Sequence, residues 1–161
     1  SVLAALLGIE RGGGIPGGLI KVYDRPSAEL KTLTVNPGRH ERDVQLGFIA
    51  LPYPSRSAPY DPREYVAALQ APPDGVPILV AGHLWLEGVE PASESTDMAR
   101  GRSVYWPLEE LKRFAGSRAV LVGGHYHRRG IFSGVHIAGS LERLTFDDGG
   151  HEPGFLILDW R

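Results

Sequence analysis

Two apolar runs in this chain, Ile78-Leu79-Val80-Ala81-Gly82 and Ala119-Val120-Leu121-Val122-Gly123, each close on Gly-His: Gly82-His83 and Gly124-His125. Short uninterrupted apolar runs bounded by glycine or proline read as buried strands. Between them lies a well-signalled helix, with Pro107 at its start, Glu109 and Glu110 in its first turn, Lys112 and Arg113 in its last, and Gly116 as its stop. Its apolar face is Leu108, Leu111 and Phe114. A strand, crossover helix and strand should pair as parallel neighbours with a right-handed connection. Both histidine ends then fall on one sheet edge, the carboxyl edge where ligands of α/β sheets gather. In Gly124-His125-Tyr126-His127, a continued extended backbone would send residues 125 and 127 to the same side. Three imidazoles, His83, His125 and His127, could then converge on metal.

The rest of the chain predicts a mixed α/β (α+β) fold in one domain, or part of one, over residues 1–161. The first seven residues read as the tail of a helix, and the glycines at 12–14 and 17–18 as turn punctuation. Leu19 to Tyr23, Leu30 to Val35 and Val44 to Leu51 read as strands. Asp61-Pro62-Arg63-Glu64 opens a short helix to about Gln70, with an N-cap carboxylate and proline in the first helical position. Leu84 to Ser103 lacks any period and reads as a long loop. Ile131 to Ala138, Arg143 to Phe146 and Gly154 to Trp160 read as three further strands, some of them antiparallel.

Composition narrows the chemistry. There is no cysteine, so a metal would take histidine, carboxylate, amide or water. No run approaches the roughly 18 apolar residues of a membrane span, no leader is readable, and a cytoplasmic setting fits. A net charge of −2 gives no global attraction to nucleic acid, so any contact with DNA has to be local. Arg100, Arg102, Arg128, Arg129 and Arg143 could supply one, against the plainer reading of solvated surface arginines. Glu87, Glu90, Glu94 and Asp97 read as a solvated loop. Trp85 reads as a loop anchor ahead of a base-stacking ring. His40, His136 and His151 read as ordinary histidines, and Glu142 with Arg143 as an ion pair or a brace behind the site.

The Gly-His-Tyr-His stretch after a buried strand, the upstream Gly82-His83, and Gly139-Ser140-Leu141-Glu142-Arg143 together resemble the calcineurin-like metallophosphoesterases. With the strand Phe48-Ile49-Ala50-Leu51-Pro52-Tyr53-Pro54, the pattern is most similar to the SbcD-type DNA double-strand-break-repair nucleases, over about Val44 to Trp160. The resemblance implies a layered β-sandwich with flanking helices, of which this chain would hold the second half. It implies that His83 and His125 ligate one metal and His127 its neighbour, and that the enzyme is a hydrolase cleaving DNA with two divalent ions. Mn²⁺ is the expected ion, with Mg²⁺, Fe²⁺ and Zn²⁺ as alternatives. An SbcC-type ATPase is an expected partner, and a membrane is not.

The family's upstream Asp-x-His, bridging Asp and Asn-His motifs do not occur in this sequence; its one asparagine, Asn36, precedes Pro37. The family's leaving-group histidine therefore has no counterpart here, and no catalytic residue is assigned. The expectation is a C-terminal portion of a catalytic domain, without the downstream DNA-capping region, completed by an N-terminal half or a companion chain. Arg128 and Arg129 are the candidate phosphate contacts. Two other functions fit the same pattern: a phosphoesterase acting on a small nucleotide or phosphoprotein, and a degenerate, non-catalytic interaction module of the same fold.

Overall fold

Both Gly-His runs form central strands of one sheet. The computed structural model describes residues 23, 25–35, 42–53, 61–70, 72–83, 85–86, 105–141, 150 and 152–158. Its elements are β1 (Ser27–Val35), β2 (Arg42–Leu51), α1 (Pro62–Ala68), β3 (Ile78–His83), β4 (Trp85–Leu86), β5 (Tyr105–Trp106) and α2 (Leu108–Ala115). A single 3-10 turn (Gly116–Arg118), β6 (Ala119–Gly124), β7 (Gly130–Phe132) and β8 (Val135–Ile137) follow. Six strands form a mixed sheet in the order β1-β2-β3-β6-β8-β7, and β4 and β5 form a second, two-stranded one. The mixed α/β expectation therefore holds.

β3 and β6 pair in parallel, with Val80 opposite Leu121 and His83 opposite Gly124. On the other side β2 also runs parallel to β3, bringing Leu51 opposite Gly82. Alternate residues of these strands share a face. Ile49, Leu51, Ile78, Val80 and Leu121 form a buried cluster with Val66 of α1 and Leu108 and Leu111 of α2. Burial of each such leucine contributes about 1.5–3 kcal/mol. His83 has the opposite parity to Val80 and closes β3 at the carboxyl edge of the sheet.

The helix starts follow from their caps. Asp61 accepts a hydrogen bond from the Arg63 amide at 2.8 Å, and Pro62 takes the first helical position, where no intrahelical donor is needed. The helix stops at Ala68, two residues short of Gln70, where Leu69 is already extended. Pro107 is the N-cap of α2 rather than its first residue, and Gly116 ends it.

Other expectations need correction. The stretch Leu84 to Ser103 is not loop throughout: Trp85–Leu86 pairs with Tyr105–Trp106, and both tryptophans are fully buried. Packing, not periodicity, makes those two-residue strands. Ile131 to Ala138 is two strands, because Ser133 and Gly134 both have positive φ and turn the chain into an antiparallel hairpin. Of the strand expected from Gly154 to Trp160, the described residues 154–158 form none; Gly154, Phe155, Leu156 and Leu158 line an open groove of about 300 Å³ with Leu79, Ala81 and Val122. The strands beginning at Leu30 and Val44 start earlier, at Ser27 and Arg42. The expected helix tail at residues 1–7, the glycines at 12–18, Arg143 to Phe146 and, apart from Tyr23, the strand from Leu19 lie outside the described residues. Among the described residues no helix is long and apolar enough to cross a membrane.

Candidate functional site

The register of β3 and β6 delivers His83 and the Gly124-His125 corner to the same edge. A side chain at Gly124 would bring its Cβ within 3.3 Å of His83 Nδ1, so glycine leaves the ring its space. One residue later the backbone leaves the strand: His125 has φ 82°, in the left-handed region that non-glycine residues enter at a cost of about 1–3 kcal/mol. The result is a close imidazole pair. His125 Nδ1 lies 2.9 Å from His83 Nε2, with ring centroids 4.7 Å apart and planes at 79°.

This corrects the reasoning that joined His125 to His127. Extended geometry ends at Gly124, so the alternation rule does not carry through the Gly-His-Tyr-His stretch. The intimate pair is His83 with His125, across two strands. His127 is half-buried and lies close enough to act electrostatically on His83.

Aromatic residues enclose the pair. Tyr53, two residues past the end of β2, stacks on His125 at 5.7 Å and 20°, and meets His83 edge-on at 6.1 Å. Trp85 contacts His125 at 4.1 Å and 69°. Tyr126 is buried, and its hydroxyl accepts a hydrogen bond from the Leu86 amide at 2.9 Å, tying the histidine corner to β4. The corner is closed from the far side by Gly139-Ser140, where the Ser140 amide donates to the His127 carbonyl at 3.2 Å. Gly139 has φ 78°, and a Cβ there would lie 2.8 Å from that same carbonyl oxygen. Only glycine fits both conditions.

Burial is the first cause lowering the His83 pKa from its ordinary value, and the charge on His127 is the second. Although the side chain retains solvent access, the protein crowded around its ring disfavours the imidazolium. A neutral imidazole is the ligating form. Two ligands about 2.0–2.1 Å from one ion and at right angles to each other lie about 2.9 Å apart, which matches the two ring nitrogens. Without an ion, the same separation is an N–H···N hydrogen bond in which one ring donates. Ligation by both nitrogens requires the donor ring to move its proton to its other nitrogen, a tautomer change without net proton loss. The pair thus fits two adjacent positions of an ion. Among the described residues no group of three His, Asp or Glu side chains is gathered to hold one.

Arg128 and Arg129 are exposed, and Arg129 pairs with Glu152 at 3.3 Å, an interaction of small energetic weight at the surface. Trp85 is a buried anchor and does not offer its ring to solvent. His136 lies in β8, opposite Val122. Arg100, Arg102, Glu142, Arg143, Glu87, Glu90, Glu94, Asp97, Asn36, His40 and His151 lie outside the described residues. Sequence reasoning missed Tyr53 as a site residue; the available signal was an aromatic two residues after a strand that ends in register with Gly82. No family model, curated protein or solved structure matches the chain.

Proposed function

We propose that this chain contributes the imidazole ligands of a two-metal site for metal-dependent phosphodiester hydrolysis on DNA, in the manner of SbcD-like metallophosphoesterases. The observation that carries the reading is the 2.9 Å approach of His83 Nε2 and His125 Nδ1 at the carboxyl edge of parallel strands. Strain held at His125 supports it, because an off-minimum backbone persists where the surroundings over-determine it, as at binding sites. On this reading the six-stranded sheet is one layer of the family's β-sandwich.

His83 and His125 bind as neutral ligands of one ion, and His127 belongs to its neighbour. Mn²⁺ suits a donor set of imidazoles and carboxylates, with Fe²⁺, Zn²⁺ or Mg²⁺ as substitutes. Paired divalent ions supply polarisation of the phosphodiester and a water of lowered pKa. Arg128, and Arg129 once released from Glu152, hold backbone phosphates at the rim. Carboxylate ligands and the leaving-group acid come from an N-terminal half or a companion chain, and an SbcC-type ATPase is a fitting partner.

The test combines the chain with that complementary half and assays linear DNA and a small phosphodiester in Mn²⁺. Expected is DNA cleavage that His125→Ala abolishes, with negligible hydrolysis by the chain alone. Efficient turnover of the small ester with no action on DNA at low salt would replace the nuclease reading by a small-substrate phosphoesterase.

A further inference from the structure

We infer that Tyr53 is a positioning residue for the imidazole pair, holding the His125 ring in the plane that aims Nδ1 at His83 Nε2. This deepens the metal-site reading and rests on it. Tyr53 touches both imidazoles, stacked on His125 and edge-on to His83. It comes from a third strand. Leu51, at the end of β2, pairs with Gly82, so the chain two residues later stands beside the Gly-His end of β3.

The second torsion of histidine is broad and roughly two-fold, so an imidazole without neighbours swings between orientations. A phenol lying nearly parallel beside the ring restricts that freedom, because swinging the imidazole out of its plane would bring its atoms against the neighbouring aromatic ring. Trp85 meets the same ring at 4.1 Å and is itself fully buried. Between these two contacts His125 keeps one plane despite its left-handed backbone. The stack needs the ring of Tyr53 and not its hydroxyl. Tyr53 is only partly buried against the core, so its ring can be exchanged while the helix-facing cluster is left in place.

The test compares the full chain with Tyr53→Phe and Tyr53→Leu. Imidazole resonances of His125 are recorded without metal, and Co²⁺ affinity is measured from the visible absorption of the bound ion. Tyr53→Phe should keep the wild-type ring-current shifts and affinity. Tyr53→Leu should lose the shifts and bind Co²⁺ about tenfold more weakly, the usual scale for removing an outer support of a ligand. If Tyr53→Leu does not fold, Tyr53→Met carries the same readouts. Unchanged His125 resonances and affinity in the leucine or methionine variant overturn the proposal, and so does equal loss in Tyr53→Phe. If wild type gives no bound Co²⁺ spectrum while the His125 resonances respond as expected, the metal reading falls and the positioning role stands.

Discussion

The two Gly-His ends carry the same dipeptide after similar apolar runs, yet they meet the edge of the sheet differently. His83 remains the last residue of β3, still in register with Gly124. His125 has left its strand and sits at φ 82°. The contrast shows that a strand-end motif specifies where a side chain arrives, while the surrounding contacts specify how it is aimed. At His83 the aim follows from pleat parity and from the absent side chain of Gly124. At His125 it depends on Tyr53, Trp85, the Tyr126 hydroxyl and the Gly139-Ser140 closure. The second end should therefore be the more fragile of the two.

The largest test of that asymmetry is Gly139→Ala. It combines a positive φ with a methyl 2.8 Å from the His127 carbonyl. Left-handed strain of about 1–2 kcal/mol and overpacking of about 1–3 kcal/mol should together lower denaturant stability and shift the His125 resonances, with those of His83 moving less. Tyr126→Phe comes next. It leaves the Leu86 amide without its acceptor, at a cost of about 1–3 kcal/mol, and hydrogen exchange at Leu86 should accelerate.

A smaller effect separates backbone from ring. His125→Gly and His125→Ala both delete the imidazole, but only alanine retains the strain at φ 82°. The glycine variant should be the more stable by about 1 kcal/mol in urea unfolding. Equal stabilities would mean that the left-handed conformation is not held in solution.

The smallest effect belongs to the other end. The His83 pKa in the folded chain is lowered from 6.5 by burial and by His127. As pH falls below about 6.5 the unfolded chain takes up that proton before the folded one does, so stability declines. The decline stops once pH has passed below the lowered folded value, and stability above about 6.5 is unaffected. Urea midpoints across this window should fall with pH in wild type and fall less in His83→Gln.

Much of the framework was legible because local signals and long-range partners agreed. β3, β6 and α2 had apolar runs, helix-end charges and glycine stops pointing to one arrangement, and the parallel pairing followed. The hairpin at Ser133-Gly134 was obscured because apolar residues continue on both sides of the turn. Trp85–Leu86 is a strand only through its pairing with Tyr105–Trp106, which no local window contains. The convergence of His83 and His125 followed from topology. The orientation of His125 did not, because a positive φ at a histidine has no sequence signature and its ring neighbours Tyr53 and Trp85 come from elsewhere in the chain.

The central claim, that His83 and His125 act together as ligands, is tested most directly by titrating the full chain with small amounts of Mn²⁺ while observing all six histidine side chains by NMR. Paramagnetic broadening should reach the His83 and His125 imidazoles first, leave His136 sharp at the same ratio, and disappear from His125 in His83→Ala. Broadening of His136 as early as His83, or of His125 unchanged by the loss of His83, would contradict it.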